Sequence, residues 1–398
     1  MAANPIPSHV PPTLVRDYDW TDMQGETDAF EHIKKLHQGP DVFYTPHHGG
    51  HWVVTRFEDM ERVLSNHMEF SNRHQSVPVN PMVLPLIEYD GEVHKDFRNV
   101  LAPFFTPKSI GNLEQVSRDL TRSLMDGFYV RGECEFIGDF AQRMPIMILM
   151  SLLALTAEDT PYLLPLSEEI VRSGNPEKQA AAFHRVGEYI ATKVLPARRA
   201  DPGSDVFSAL IKARLANGRE LTDAEIIGLG SLLIAAGLDT VASMLGFITK
   251  FLAENPIHRR QLVENPVLIN DALEEMLRRF TISNVARVVI ADMVFKGVKF
   301  KAGEIVFTPL SAADIDERRF RDPYTVDFKR GDKKTLVFGR GPHQCIGAFL
   351  ARTELRVFLQ EWLKRIPDFQ VRAGVVPVSV VGKADAIRFL PLVWKVQP

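Results

Sequence analysis

The sequence predicts a mainly α-helical protein with smaller β-sheets, and three features carry that expectation. Thr222-Asp223-Ala224-Glu225 has the form of a capping box, in which a hydroxyl and a carboxylate three residues apart satisfy the free N–H groups of a helix start. The apolar stretch it opens runs to about Asn255-Pro256 and, at ~1.5 Å per residue, would span about 50 Å and cross the molecule. After Cys345, residues Ala351, Leu355, Phe358, Leu359, Trp362, Leu363 and Ile366 fall on one side and Arg352, Arg356, Gln360 and Lys364 on the other, which is helical periodicity. Finally, VARVVIAD and VFKGVKF, separated by acidic and glycine turns, read as strands.

With 398 residues the chain can bury a large core, and length alone suggests two or three domains. A formal net charge of −3 gives no reason to expect nucleic-acid binding, and two cysteines exclude a disulfide scaffold. The N-terminal MAANPIPSHVPPTLVRDYDW has no continuous apolar run and is broken by prolines, so a cytoplasmic location with no membrane anchor is expected. Between Ile226 and Lys250 the one charged residue before the lysine is Asp239. A membrane span there would bury an aspartate at a cost of roughly 2.5–3.5 kcal/mol and lacks flanking aromatic or basic belts, so a buried core helix is expected.

Taken in order, the first 26 residues look irregular, and Thr27 to Gln38 has helical spacing through Phe30, Ile33 and Leu36. Asp41–Thr45 and His51–Arg56 are β-rich around the turn PHHGGH. His47, His48 and His51 in that turn are read as solvated loop residues and left unassigned. Phe57 to Ser65 reads as helix, and Phe70 to Tyr89 as a long proline-rich loop. His94 and Arg98, four apart, share a helix face. Leu113 to Met150 is helical with an interruption near Gly132; Met144–Leu155 belongs to a buried helix, and Cys134 is structural. Thr156 to Arg199 gives two helices broken at Ser173-Gly174-Asn175-Pro176, a pair able to act as a lid. Asp271–Phe280 is helical, with Glu275 and Arg278 spaced to pair; as a surface pair they would contribute little. Val371 to Trp394 is β-rich and irregular, and is expected to form the far wall of a pocket.

The chemistry converges on Phe338-Gly339-Arg340-Gly341-Pro342-His343-Gln344-Cys345-Ile346-Gly347. Two glycines permit backbone angles and approaches that a Cβ forbids, so the loop can lie flat against a large planar ligand. A cysteine at a helix start is expected to have a lowered pKa and to ligate a metal. One cysteine cannot build a four-ligand zinc site, whereas iron held by a macrocycle needs one protein ligand.

This string resembles the haem-binding loop of the cytochrome P450 superfamily, Phe-Gly-x-Gly-x-His-x-Cys-x-Gly, with every fixed position filled; the resemblance extends from about Thr27 to Trp394. It implies a cytochrome P450 fold in a single domain over residues 1–398, and haem b (iron protoporphyrin IX) as cofactor. Cys345 would be the axial thiolate, with Phe338, Gly339 and Gly347 shaping the loop and His94, Arg98, Arg287 and His343 near the propionates. Ala236-Gly237-Leu238-Asp239-Thr240 matches the oxygen-activation motif, where the helix bends over the iron, Thr240 steadies bound dioxygen and Asp239 helps relay protons. Glu275 and Arg278 match the Glu-x-x-Arg motif that supports the haem loop, completed by Arg330.

The activity so implied is monooxygenation, the insertion of oxygen from O2 into an unactivated C–H bond. Rivals are a peroxide-driven peroxygenase and a non-enzymatic haem sensor. No flavin or nicotinamide domain fits in the chain, so electrons are expected from a two-iron two-sulfur ferredoxin and its NAD(P)H-dependent reductase, docking on a basic patch of Lys95, Arg98 and Arg340; a monomer is expected. The strings AGLDT, EMLRRF, EWLKRIPDF and LPLVW resemble the bacterial camphor hydroxylase branch. Where that enzyme holds its ketone with a tyrosine this chain has Met82, or Tyr89 reaches inward instead. The expected wall, Met82, Val83, Leu84, Leu86, Ile87, Leu233, Gly237, Ile282, Val285 and Ala384, is nearly all apolar, which points to a monoterpenoid or norisoprenoid, with a fatty or aromatic substrate as the alternative.

Overall fold

The computed structural model describes residues 5–23, 27–79, 84–155, 158–172 and 176–397. Helices dominate and the sheets are small, as expected. The Asp223–Glu254 helix has the capping box in place, with Glu225 N donating to Thr222 Oγ1 at 3.3 Å and Thr222 N to Glu225 Oε2 at 2.8 Å. It is the one described helix long and apolar enough to cross a membrane, but 71% of its most apolar window is buried inside the protein, which makes it the core helix. The Arg143–Leu152 helix packs against it so closely that a Cβ on Gly237 would fall 2.9 Å from Leu149 Cδ2.

Two buried clusters share the interior. The larger gathers the central helix, the Ala348–Arg365 helix and the aromatic group Phe136, Phe140, Phe358 and Trp362. The smaller lies under the main sheet, where the antiparallel hairpin Val42–Thr45/His51–Val54 continues in parallel onto Ile305–Pro309, then Asn284–Val289 and Phe70–Ser71. The PHHGGH segment forms the expected turn, with a short helical turn at His47–Gly49, but His51, expected as a solvated loop residue, opens the strand His51–Val54 and is buried. His47 and His48 pair with Asp17 and Asp19, and among the described residues no cluster suited to a metal ion occurs.

Two expectations change. The interruption near Gly132 holds a strand, Glu133–Glu135, paired with Pro391–Trp394 some 250 residues away, a partner that local periodicity cannot reveal. The Arg143–Leu152 helix stops before Leu155, Ala154 having a φ of +52°. The two helices expected between 156 and 199 are Thr160–Arg172 and Pro176–Tyr189, the second running on into Leu195–Ala200; the breaker residues 173–175 lie outside the described residues.

Candidate active site

The cysteine loop is held from both ends. Cys345 N donates to Phe338 O at 2.8 Å and Gly339 N to Leu336 O at 2.8 Å, closing the loop on itself. Gly339 and Gly341 have φ of +67° and +72°, in the left-handed region. Around Gly339 there is room, whereas a Cβ on Gly341 would fall 2.8 Å from Ser65 Cα and 2.9 Å from Leu64 O. The loop is therefore pressed against the end of the Phe57–Ser65 helix. Gly347 caps the Ala348–Arg365 helix, and the Arg352 guanidinium lies 4.5 Å from the centre of the Phe338 ring, anchored by a two-point bond to Glu274.

A cavity of about 320 Å³ opens over this loop, with Cys345, Phe338, Gly339, His343 and Gly347 in its wall. Cys345 is exposed toward the cavity, yet the protein around it is dense enough that burial pushes the thiol pKa up; the Gly347 N–H and the Arg98 and Arg352 charges only partly offset this. The lowered pKa expected from a helix start is thus not found, because desolvation outweighs the few N–H groups aimed at the sulfur.

One rim of the cavity is cationic. The His94 and His343 rings lie 3.9 Å apart, and His343 contacts Asp90 at 3.3 Å. Burial, then the neighbouring His343 and Arg98, push His94 down to about 4. Arg287 is buried and burial lowers its pKa to about 10; its Nη1 donates to Ala286 O at 2.8 Å. Arg98 Nη2 donates to Gln344 O at 2.7 Å. Among the described residues neither guanidinium forms an ion pair, and both line the cavity. Buried arginines normally meet carboxylates, so a planar ligand carrying carboxylates at this edge would complete them.

Across the cavity the central helix presents Ala236, Gly237, Thr240, Val241 and Met244. Thr240 faces the cavity and its Oγ1 donates to Ala236 O at 3.2 Å, the ordinary back-bond of a helical threonine. Asp239, on the next helical position, is half-buried and outside the cavity wall, so the acid and the alcohol point to different sides. The helix runs without interruption through both residues.

Leu86, Ile87, Leu233, Gly237, Ile282 and Val285 line the cavity as expected, while Met82 and Val83 lie outside the described residues. Three assignments are corrected. Tyr89 packs edge-on against Phe97, ring centres 5.2 Å apart, instead of reaching inward. Leu84, whose backbone N–H donates to Glu88 Oε2 at 3.0 Å, packs against the larger core and is not part of the cavity wall. Ala384 bridges to Ser283, so it and the Val371–Trp394 segment back the wall formed by Ile282 and Val285 without reaching the cavity.

The sequence reading missed Asn72, Gln75, Ser283 and Glu354 in this wall. Glu354 is the most unusual: it is buried, its Oε2 has no partner among the described residues, and burial holds its pKa well above the carboxylate range. Its signal was visible as an acid three residues beyond Ala351, on the apolar face of the last long helix.

Behind the loop, Glu275 and Arg278 form a two-point pair at 2.9 Å with both side chains fully buried, and Arg330 Nε donates to Glu275 Oε1 at 3.0 Å. The pair is thus buried and not the weak surface pair weighed against the supporting role; removal of one partner would strand a buried charge. Arg278 also donates to the Asp314 and Pro323 carbonyls, and Asp314 accepts from Leu336 N at the start of the cysteine loop. The expected basic patch is weaker than its residues suggest. Arg98 faces the cavity and Arg340 pairs with Glu61 at 3.0 Å, while Lys95 is exposed and 3.4 Å from Glu92.

Comparison with known proteins agrees with this geometry. A family model described as Cytochrome P450 matches residues 178–373. Probable cytochrome P450 127A1 of Sinorhizobium fredii is 34% identical, over 98% of this chain and 97% of its own. The crystal structure of CYP101J2 superposes with a TM-score of 0.92 at 34% identity, covering 99% of this chain and 100% of that one. For CYP101C1 the TM-score is 0.89 at 32% identity, over 98% and 100%.

Proposed function

The chain belongs to the cytochrome P450 family and is a haem b-dependent monooxygenase, and from that premise we propose that it hydroxylates a compact hydrophobic small molecule, a monoterpenoid or norisoprenoid. The observation that carries this reading is the wall facing the cysteine loop, where Leu86, Ile87, Leu233, Val241, Ile282 and Val285 enclose the cavity of about 320 Å³. Such a wall binds by burial, at roughly 25 cal/mol per Å² of apolar surface, and orients a rigid skeleton by shape.

Cys345 would hold the iron through its sulfur, and Arg98 and Arg287, with the His94 and His343 rings beside them, would bind the propionates; their unmet charges are what support this fit. When bound, haem b ligated by a thiolate supplies the activation of dioxygen. The chain's own residues do the rest. Thr240 exchanges its bond to Ala236 O for a hydrogen bond across the cavity and holds a proton there, while Asp239 passes protons along the outer side of the same helix turn. The apolar wall excludes water from the reacting carbon.

Electrons would come from a two-iron two-sulfur ferredoxin and its NAD(P)H-dependent reductase, acting on a cytoplasmic monomer. Exposed Phe349, beside the cysteine loop, and Lys95 support a docking face there. Because Arg340 is already paired with Glu61, attraction rests on few free charges and reduction should slow only modestly as salt rises.

A spectral titration with terpenoid, norisoprenoid, fatty-acid and aromatic panels tests the substrate class. The terpenoids and norisoprenoids should shift the haem spin state at the lowest concentrations. A shift by fatty acids alone, or by a strongly polar ligand alone, would refute the assignment.

A further inference from the structure

Part of the cavity wall is built on a strained backbone. In Leu84-Pro85-Leu86-Ile87-Glu88, Ile87 N donates to Pro85 O at 2.9 Å and closes a three-residue turn, whose central residue, Leu86, has a φ of +69°. A three-residue turn with positive φ is the rare and strained form, and a leucine has no polar side chain to offset the cost locally. Leu86 is nevertheless buried and forms part of the cavity wall. Such a conformation persists where the surrounding structure over-determines it.

Three contacts supply that constraint. Glu88 ties the ends of the turn together, since its N donates to Leu84 O at 3.1 Å and its buried Oε2 accepts from Leu84 N at 3.0 Å. Asn72 Nδ2 donates to Ile87 O. The third contact is steric. Pro85 sits in a notch on the central helix at Gly228, where a Cβ would fall 2.7 Å from Pro85 Cγ and 3.1 Å from its Cδ. One helical turn further on, Leu232 lines the cavity, whereas Gly228 itself does not. The approach of Pro85 to the helix therefore sets how far Leu86 enters the cavity.

We infer that Gly228 is a positioning residue for substrate size: the notch it leaves for Pro85 lets the strained turn hold Leu86 in the cavity as a fixed stop, and that stop confines the enzyme to compact substrates. This rests on the reading of the cavity over Cys345 as the site of a compact hydrophobic substrate. A residue outside the wall then governs the wall.

The test is the binding of imidazole, 4-phenylimidazole and 4-(biphenyl-4-yl)imidazole to the haem-loaded protein, read from the shift of the haem absorption band. All three take the iron through a ring nitrogen and differ in the length they present to the wall beyond it. The quantity compared is the affinity for the biphenyl compound relative to the phenyl one. Gly228→Ala should displace Pro85, withdraw Leu86 and raise that ratio about tenfold, with imidazole affinity unchanged. Alanine is the better helix former, so the effect cannot come from a weakened helix. Adding Pro85→Ala, which removes the two ring carbons that would meet the new methyl, should bring the ratio back toward the wild-type value. Leu86→Ala, which adds no bulk anywhere, should raise the ratio with the notch untouched. An unchanged ratio in Gly228→Ala or in Leu86→Ala would overturn the inference, as would a double variant as permissive as Gly228→Ala alone. Azoles bind the iron whatever the natural substrate, so these outcomes are separate from the terpenoid assignment, which the substrate panel decides.

Discussion

Gly339→Ala and Gly341→Ala form a matched pair that measures how tightly the cysteine loop is pressed into place. Both positions have positive φ, so either alanine meets the left-handed penalty of roughly 1–2 kcal/mol. At Gly339 the new methyl would meet nothing nearer than His343 O at 3.9 Å, so the penalty should end there. At Gly341 it would sit 2.8 Å from Ser65 Cα and 2.9 Å from Leu64 O, backbone atoms at the end of a helix that cannot swing aside. Overpacking of this kind costs about 1–3 kcal/mol more, giving about 2–5 kcal/mol in total. Urea unfolding of the haem-loaded proteins, followed by circular dichroism, reads the two losses. The absorption of the reduced carbon-monoxide complex reads whether the sulfur has moved. Gly341→Ala should lose more stability and show a reduced thiolate-type band, whereas Gly339→Ala should keep the band. Equal losses and equal spectra would mean that the contact with Ser65 does not fix the loop, and the account of the site would fail.

Other expectations follow from single side chains. Cys345→Ser should abolish monooxygenation and the thiolate-type carbon-monoxide spectrum, because an alcohol donates far less electron density to iron than a thiolate; retention of both would remove Cys345 from the axial position. Thr240→Ala should still bind substrate and consume reductant but release much of it as hydrogen peroxide, so product formed per reductant consumed is the quantity to measure, and an unchanged ratio would contradict the proton role. Asp385 is fully buried, and burial pushes its carboxyl up to about 8, against hydrogen bonds from Gly382 N and Asn284 Nδ2. A raised folded-state pKa contributes stability that is present below the ordinary 3.8 and is lost as pH rises through about 8. The wild-type unfolding midpoint should therefore fall more between pH 4 and 8 than that of Asp385→Asn, and parallel curves would show that this carboxyl is ionised in the folded protein throughout.

What the sequence disclosed was whatever lies close along the chain. The cysteine loop is legible because ten consecutive residues carry it, and the Glu275–Arg278 pair because a helix brings residues three apart together. Arg330 could be joined to that pair only through the family resemblance, and the geometry bears out the contact. Pairing between distant segments was not legible: Glu133–Glu135 finds Pro391–Trp394, and Arg340 finds Glu61, across more than 200 residues. The same limit explains Tyr89, whose direction depends on where Phe97 sits. The thiol of Cys345 was misjudged for a different reason. Position at a helix start is a local property, while desolvation is set by everything packed around the sulfur.

The unpaired arginines at the cavity rim bear on how the molecule is assembled in a cell. Arg98 and Arg287 are ordered around a space that the polypeptide itself does not fill with negative charge. Any ligand that binds the folded chain but not the unfolded one stabilises it by RT ln(1 + [L]/Kd), and a dianionic macrocycle meeting two waiting cations belongs to that class. The lifetime of newly made chains would then track the supply of free haem. Under haem shortage, the abundance of this protein would decline through degradation of incompletely assembled molecules.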